Sequence, residues 1–260
     1  MTNSLPRTLL AEMTREQIRA IAPTTTVVLP TSAIEQHGLH LPILTDTLAC
    51  TTVCQRAAEL AGSRTPVTVA PPIHYGGSAH HLPHPGVLTL SHATFLQVVK
   101  EICTSLAVSG FRRIVIVNGH GGNEETIRVA AREIALTHTV TIAAASYWTI
   151  AGSALYEEGH VSEIGWLPGH AGAFETSLVL ALRPDLVDQA SYPPLRDVTP
   201  RASELYLRPM VLRAGIREGT TVGYTDNPAN GSAEHGQRFL DIITREVARF
   251  LVDLAAEDVR

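Results

Sequence analysis

Three short stretches of the chain place imidazoles and carboxylates at spacings that suit metal chemistry. The first runs from Thr31 to Asp46 (TSAIEQHGLHLPILTD), directly after a β-branched apolar run at 24–30. Glu35 and His37 are two apart, so in an extended chain both project from the same side and their ligand atoms converge. Asp46 falls where the next helix should begin, and the helix dipole there keeps a carboxylate ionised. The second stretch, Val115 to Asn123 (VIVNGHGGN), is an apolar strand entering a glycine-rich turn and then a helix. His120 is thereby placed outside the carboxyl end of a strand, where open α/β sheets bind their ligands. Gly121 and Gly122 permit close backbone approach and could aim amide N–H groups at an oxyanion. The third, Gly169 to Ser177 (GHAGAFETS), is again a loop entering a helix, with His170 and Glu175 able to face one pocket.

Each of these residues also has an ordinary role open to it: Glu35 as a solvated loop residue, His37 as a turn residue, Asp46 as an N-cap. Other chemistries are poorly matched. The run G-H-G-G-N-E does not complete G-x-G-x-x-G, and no G-x-x-x-x-G-K-[ST] occurs, which disfavours nucleotide binding. There is no G-x-S-x-G elbow and no H-E-x-x-H pair. Cys50, Cys54 and Cys103 sit in apolar, helix-like contexts that suit buried free thiols rather than nucleophiles. A mixed carboxylate and imidazole set suits Zn²⁺ or Mn²⁺, with Fe²⁺ admissible, and does not suit Fe–S or copper–thiolate sites.

The elements that must position these residues read as alternating strands and helices. Strand-like runs lie at 24–30, 65–73, 112–119 and 139–148; helix-like runs at 47–61, 91–109, 123–138, 172–183 and 233–256. Ser91 and Asn123 read as N-caps and Gly110 as the residue closing its helix. Such alternation implies an α/β fold with a mostly parallel sheet covered on both faces, in a single domain spanning 1–260. Long irregular stretches at 31–46, 72–90, 149–171 and 184–234 hold most of the histidines and are expected to be functional or to form interfaces. Of 260 residues 45% are hydrophobic, 17% charged and twelve are histidine, with a net charge of −5, so disorder and coiled coil are excluded. No clustered basic face points to nucleic acid, and no apolar run reaches the roughly 20 residues of a membrane span. With no signal-like N-terminus, a cytoplasmic location is expected.

The three stretches together resemble the creatininase (creatinine amidohydrolase) family. The carrying motifs are Ser32…Glu35-Gln36-His37-Gly38…His40-Leu41-Pro42…Thr45-Asp46, Asn118 to Asn123, and His170 to Ser177. Weaker matches are Ser78…His81…Pro85-Gly86 and Pro228…Ala233-Glu234-His235-Gly236. The resemblance implies a three-layer α/β/α sandwich with two divalent ions, Zn²⁺ and/or Mn²⁺. Glu35 and His120 would hold one ion, His37 and Glu175 the other, with Asp46 bridging. In creatininase proper a glutamate two residues after the strand-end histidine is a ligand; here that position is Gly122, and Glu175 takes its place. Ala173, His80 and Val87 also depart from the family pattern, the last two in the substrate-side loop.

Two divalent ions about 3.5–4 Å apart can share a hydroxide whose pKa approaches neutrality. The expected reaction is its attack on an amide-type carbonyl of a small molecule, with His170 as general acid/base and Gly121 and Gly122 assisting the oxyanion. Trp148, Trp166, Gly122, Asn123 and His81 are the expected substrate contacts. His40 and Asn118 are the residues expected to orient the ligands. The alternatives are a creatininase-like peptidase of a peptide-derived cofactor pathway and a catalytically silent metal- or nucleotide-binding module. The resemblance further implies a homo-oligomer, of which a hexamer is one form, with 184–234 as a candidate interface or pocket rim.

Overall fold

The computed structural model describes residues 8–196 and 222–257. The β-branched runs form four strands, β1 (Thr26–Thr31), β2 (Val67–Val69), β3 (Arg113–Asn118) and β4 (Thr141–Ser146). They lie in one parallel sheet of order β2-β1-β3-β4. Register pairs Thr31 with Asn118 and Asn118 with Ser146, so β1, β3 and β4 end level with one another. The chain leaves β1 for β2 on one side and returns to β3 on the other. The order of the strands therefore reverses between β1 and β3, which opens a crevice at their carboxyl ends.

Alternate side chains of each strand serve opposite faces. Val28, Val115 and Val117 meet α2 (Thr45–Ala61), α7 (Ala173–Leu182) and the C-terminal α8 (Ala233–Ala256) through Val53, Phe174, Leu178, Phe239 and Ile243. Val27, Leu29, Ile114 and Ile116 meet α3 (His92–Val108) and α4 (Glu124–Thr137) through Phe95, Val99, Ile127 and Ala130. The result is the expected three-layer α/β/α sandwich. A Cβ on Gly236 would overlap the carbonyl of Ser177, so glycine is what lets α8 cross α7 so closely.

Helix ends follow the local chemistry in two of the three expected places. The Ser91 hydroxyl accepts from the Thr94 N–H. Gly110, at φ +105°, closes α3: its N–H reaches the Ala107 carbonyl and that of Phe111 reaches Leu106. Asn123 precedes α4 but makes no cap bond, because its amide is committed elsewhere. The sequence pattern also did not show α1 (Arg15–Ile21), α5 (Tyr147–Ile150) and α6 (Gly152–Glu157). The strand expected to reach residue 148 stops at Ser146, where Tyr147 and Trp148 turn into the core and start α5.

A candidate metal centre at the switch point

Glu35 and His37 follow β1, Asp46 lies in the first turn of α2, His120 follows β3 and Glu175 lies in the first turn of α7. All five side chains are buried. Asp46 turns one oxygen to each imidazole: Oδ1 lies 3.1 Å from His37 Nε2 and Oδ2 lies 3.1 Å from His120 Nδ1. Glu175 Oε2 is 3.6 Å from His37 Nε2, and Glu35 Oε1 is 3.3 Å from His120 Nδ1. Two donor sets thus flank one carboxylate. Glu35 and His37, expected to converge through their spacing, face opposite halves of the centre while remaining close neighbours.

The second nitrogen of each imidazole is occupied by backbone. His37 Nδ1–H donates to the Glu35 carbonyl at 3.0 Å, and His120 Nε2–H donates to the Gly77 carbonyl at 3.3 Å. Such partners fix the ring orientation and leave the inward nitrogen available to a metal.

The donor set fits divalent cations on its own chemistry. His37, Asp46 and Glu175 bring ligand atoms within 4.8 Å of one another. Glu35 Oε2 and Asp46 Oδ2 are buried without a hydrogen-bond partner, the latter facing His120 at ion-pair distance only. Buried carboxylate oxygens without partners are costly, and a cation is the partner that would satisfy them.

The electrostatics of the metal-free centre point the same way. Burial disfavours a charged His37, yet Asp46 and Glu175 outweigh it and hold the ring well above 6.5. Burial likewise opposes a charged His120, but Glu35 and Asp46 raise it to about 10. Asp46, despite its burial, is lowered to about 2 by the two imidazoles. Burial raises both Glu35 and Glu175. Without metal, the imidazolium of His120 therefore stabilises the fold fully below 6.5, and that contribution is lost as pH rises through about 10. A cation held by both rings would displace their protons. Metal uptake is accordingly expected to release about two protons per fully loaded chain and to tighten as pH rises. Calorimetry in buffers of differing ionisation enthalpy reads this directly; uptake without proton release would remove the two rings from the ligand set.

His170 lies against the centre, its ring 4.5 Å from that of His37 and 4.2 Å from that of His81. Burial, with the His37, His81 and His120 rings around it, pushes its pKa well below 6.5, so it is neutral at pH 7. Gln36 fixes its tautomer. The Gly38 N–H binds Gln36 Oε1, which turns the amide NH2 to donate to His170 Nε2 at 2.9 Å and His81 Nδ1 at 3.0 Å. The remaining N–H groups, His170 Nδ1 and His81 Nε2, face Glu35 Oε1 at 3.5 and 3.6 Å. His81 is thereby placed inside the cluster.

The other expected residues separate by depth. Asn118 clamps His120 from both sides, accepting from its N–H at 3.2 Å and donating to its carbonyl at 2.6 Å. Asn123 is fully buried beneath the site, with its amide bound to the Gly77 N–H, the Ser32 carbonyl and Asn118. It pins the 72–90 loop to the ligand loops and has no group left for substrate, which corrects the expected contact. His40 braces α7 through Thr176 at 3.0 Å rather than touching His37 by hydrogen bond. Gly121 has open space where a side chain would go, whereas a Cβ on Gly122 would collide with the Gly77 carbonyl and the His120 ring. A glutamate at that position would not fit, and Glu175 approaches His37 from α7 instead. Trp148 is buried in the core against Tyr147, so its ring acts in packing; Trp166 is half-buried, with its indole Nε1 enclosed and unpartnered. Residues 197–221 of the candidate rim at 184–234 lie outside the described residues.

Asp226 was not singled out by sequence. It is buried, accepts from the Ala173 N–H at 2.7 Å and the Trp166 N–H at 3.4 Å, and sits where Gly165, Gly169 and Gly172 leave room. Its neighbour Thr225 exchanges backbone and hydroxyl bonds with His170 at 2.8 Å. This carboxylate ties the loop that carries His170 to the first turn of α7, which carries Glu175. Asp226→Ala is expected to cost about 3 kcal/mol by orphaning buried N–H groups, read as a lowered denaturation midpoint.

The creatininase (creatinine amidohydrolase) family model matches residues 11–251. The chain is 37% identical over 210 residues to a creatinine amidohydrolase of Pseudomonas putida, covering 71% of this chain and 77% of that protein. It is 30% identical over 243 residues to a mycofactocin precursor peptide peptidase of Mycolicibacterium smegmatis, covering 88% and 84% respectively. A solved creatininase with Mn superposes with a TM-score of 0.78 at 28% identity, over 96% of this chain and 99% of that one. The shared architecture, the paired imidazoles and carboxylates at the switch point and the match along nearly the whole length agree: the chain belongs to the creatininase family, and is a metal-binding hydrolase of C–N bonds.

Proposed function

We propose that the chain hydrolyses the C–N bond of a small amide, cyclic amide or formamide at a centre of two divalent ions, Zn²⁺ or Mn²⁺. The observation that carries it is Asp46, whose two oxygens each address a different imidazole at 3.1 Å. Glu35 and His120 would hold one ion, His37 and Glu175 the other, with Asp46 shared. When bound, such a pair lowers the pKa of a shared water toward neutrality and polarises a carbonyl. The protein's own groups supply orientation and proton traffic. His170, neutral at rest, would take the proton that the attacking water loses, become imidazolium, and pass its centre-facing Nδ1 proton to the departing nitrogen, so that the ring ends neutral as it began. A side chain at Gly121 would meet open space, and its backbone N–H is the proposed oxyanion donor. Trp166, half-buried with an unpartnered indole N–H, is the aromatic we retain as the candidate substrate contact.

A peptidase reading has support of its own, since the mycofactocin precursor peptidase matches a larger share of the chain than the creatinine amidohydrolase does. The test is metal analysis followed by turnover assays of the Mn²⁺- and Zn²⁺-loaded protein on creatinine, formamides, lactams and dipeptide-tailed peptides. Cleavage of a small amide supports the proposal and cleavage of the peptide tail alone favours the peptidase. A fully metallated protein that turns over none of them overturns both.

A further inference from the structure

His80 belongs to neither donor set implied by the family resemblance, which leads one to expect an acidic side chain at that position. It lies on the one-turn 3₁₀ helix Ala79–His81 in the substrate-side loop. One of its ring nitrogens nevertheless falls within 4.8 Å of the ligand atoms of Glu35 and His120, a spacing consistent with bonds to a common ion. Its ring stacks on that of His120 at 5.8 Å and tilts against that of His81 at 4.2 Å. The His80 side chain is exposed, whereas Glu35, Asp46 and His120 are buried, so it closes the centre from the solvent side.

Three protein ligands with one open position characterise catalytic zinc sites, and four close the shell. Glu35, Asp46 and His120 supply three. We propose that His80 is a fourth, displaceable ligand of the ion they hold, closing its coordination in the resting enzyme and giving way when substrate enters. The proposal rests on the two-ion reading of the centre. Its physical basis is asymmetry: a solvent-side imidazole on a single turn can swing out at little cost, while Glu35, Asp46 and His120 are enclosed by the fold and His120 is also held by the Gly77 carbonyl. The ion beside His80 is therefore the better covered of the two at rest.

The experiment uses the full chain loaded with Co²⁺, and separately with Zn²⁺, for the wild type and His80→Ala. Ion content, the visible absorption of Co²⁺ and the rate of release to a chelator are recorded, with and without added imidazole. His80→Ala is expected to release one of the two ions at least about tenfold faster, since losing even an outer-shell partner of a metal ligand has that effect. It should also change the Co²⁺ spectrum, and free imidazole should restore both properties. An unchanged spectrum and release rate, or a faster release that imidazole does not reverse, overturns the assignment of His80 alone. A wild type that binds fewer than two ions overturns the two-ion reading and this proposal together.

Discussion

Asp46→Asn is expected to leave less than one ion per chain and to reduce turnover by at least about 10³-fold, a barrier increase of about 4 kcal/mol. Among the described residues Asp46 is the one carboxylate whose oxygens address both imidazoles, so the neutral amide weakens both halves of the centre at once. The same change acts on the metal-free protein. There the carboxylate faces two imidazoles that carry protons at neutral pH, and removing one partner of a buried charge set costs about 3–5 kcal/mol. Elemental analysis, initial rates and melting of the metal-free form separate the two effects. A variant that retains two ions would show that Asp46 serves the fold and not the metals.

His170→Ala is expected to lower turnover by about 10²–10⁴-fold while leaving both ions in place. The ring is held neutral, so it can accept the proton of the attacking water, and its Nδ1 points to the centre, which suits a proton carrier. Substrates with more acidic leaving groups need less protonation and should lose less activity. His170 also lies within 4.8 Å of the ligand atoms of Glu35 and His37, so ion content must be measured beside the rate. If metal falls in step with turnover, the ring is a ligand and the proton-carrier role is lost.

The core of the centre could be read from sequence because it is built locally. Glu35 and His37 follow β1 directly, His120 follows β3 and Asp46 opens α2, so strand ends and helix starts predicted from hydrophobic patterning already place them at one edge. The strands themselves were legible because burial on both faces demands continuous apolar β-branched runs. The short helices α5 and α6 were not, since a few residues of aromatic and small side chains carry no period long enough to detect. Asn123 shows the opposite error: its position before α4 looks like a cap, yet its amide is drawn away to Gly77 and Ser32.

By itself, then, the sequence determined the layered parallel fold, which depends on patterns within single elements, and its three motifs named the five candidate ligand side chains through the family resemblance. Only the tertiary structure decided how they combine. Gln36 meets His170 across 134 residues, Asp226 reaches Ala173 across 53, and His80 reaches Glu35 and His120 from a separate loop. The same holds for Gly122, whose missing side chain makes room for the His120 ring and the Gly77 carbonyl. Such contacts are set by where the sheet order reverses and how tightly loops pack over it, and no local period records that geometry.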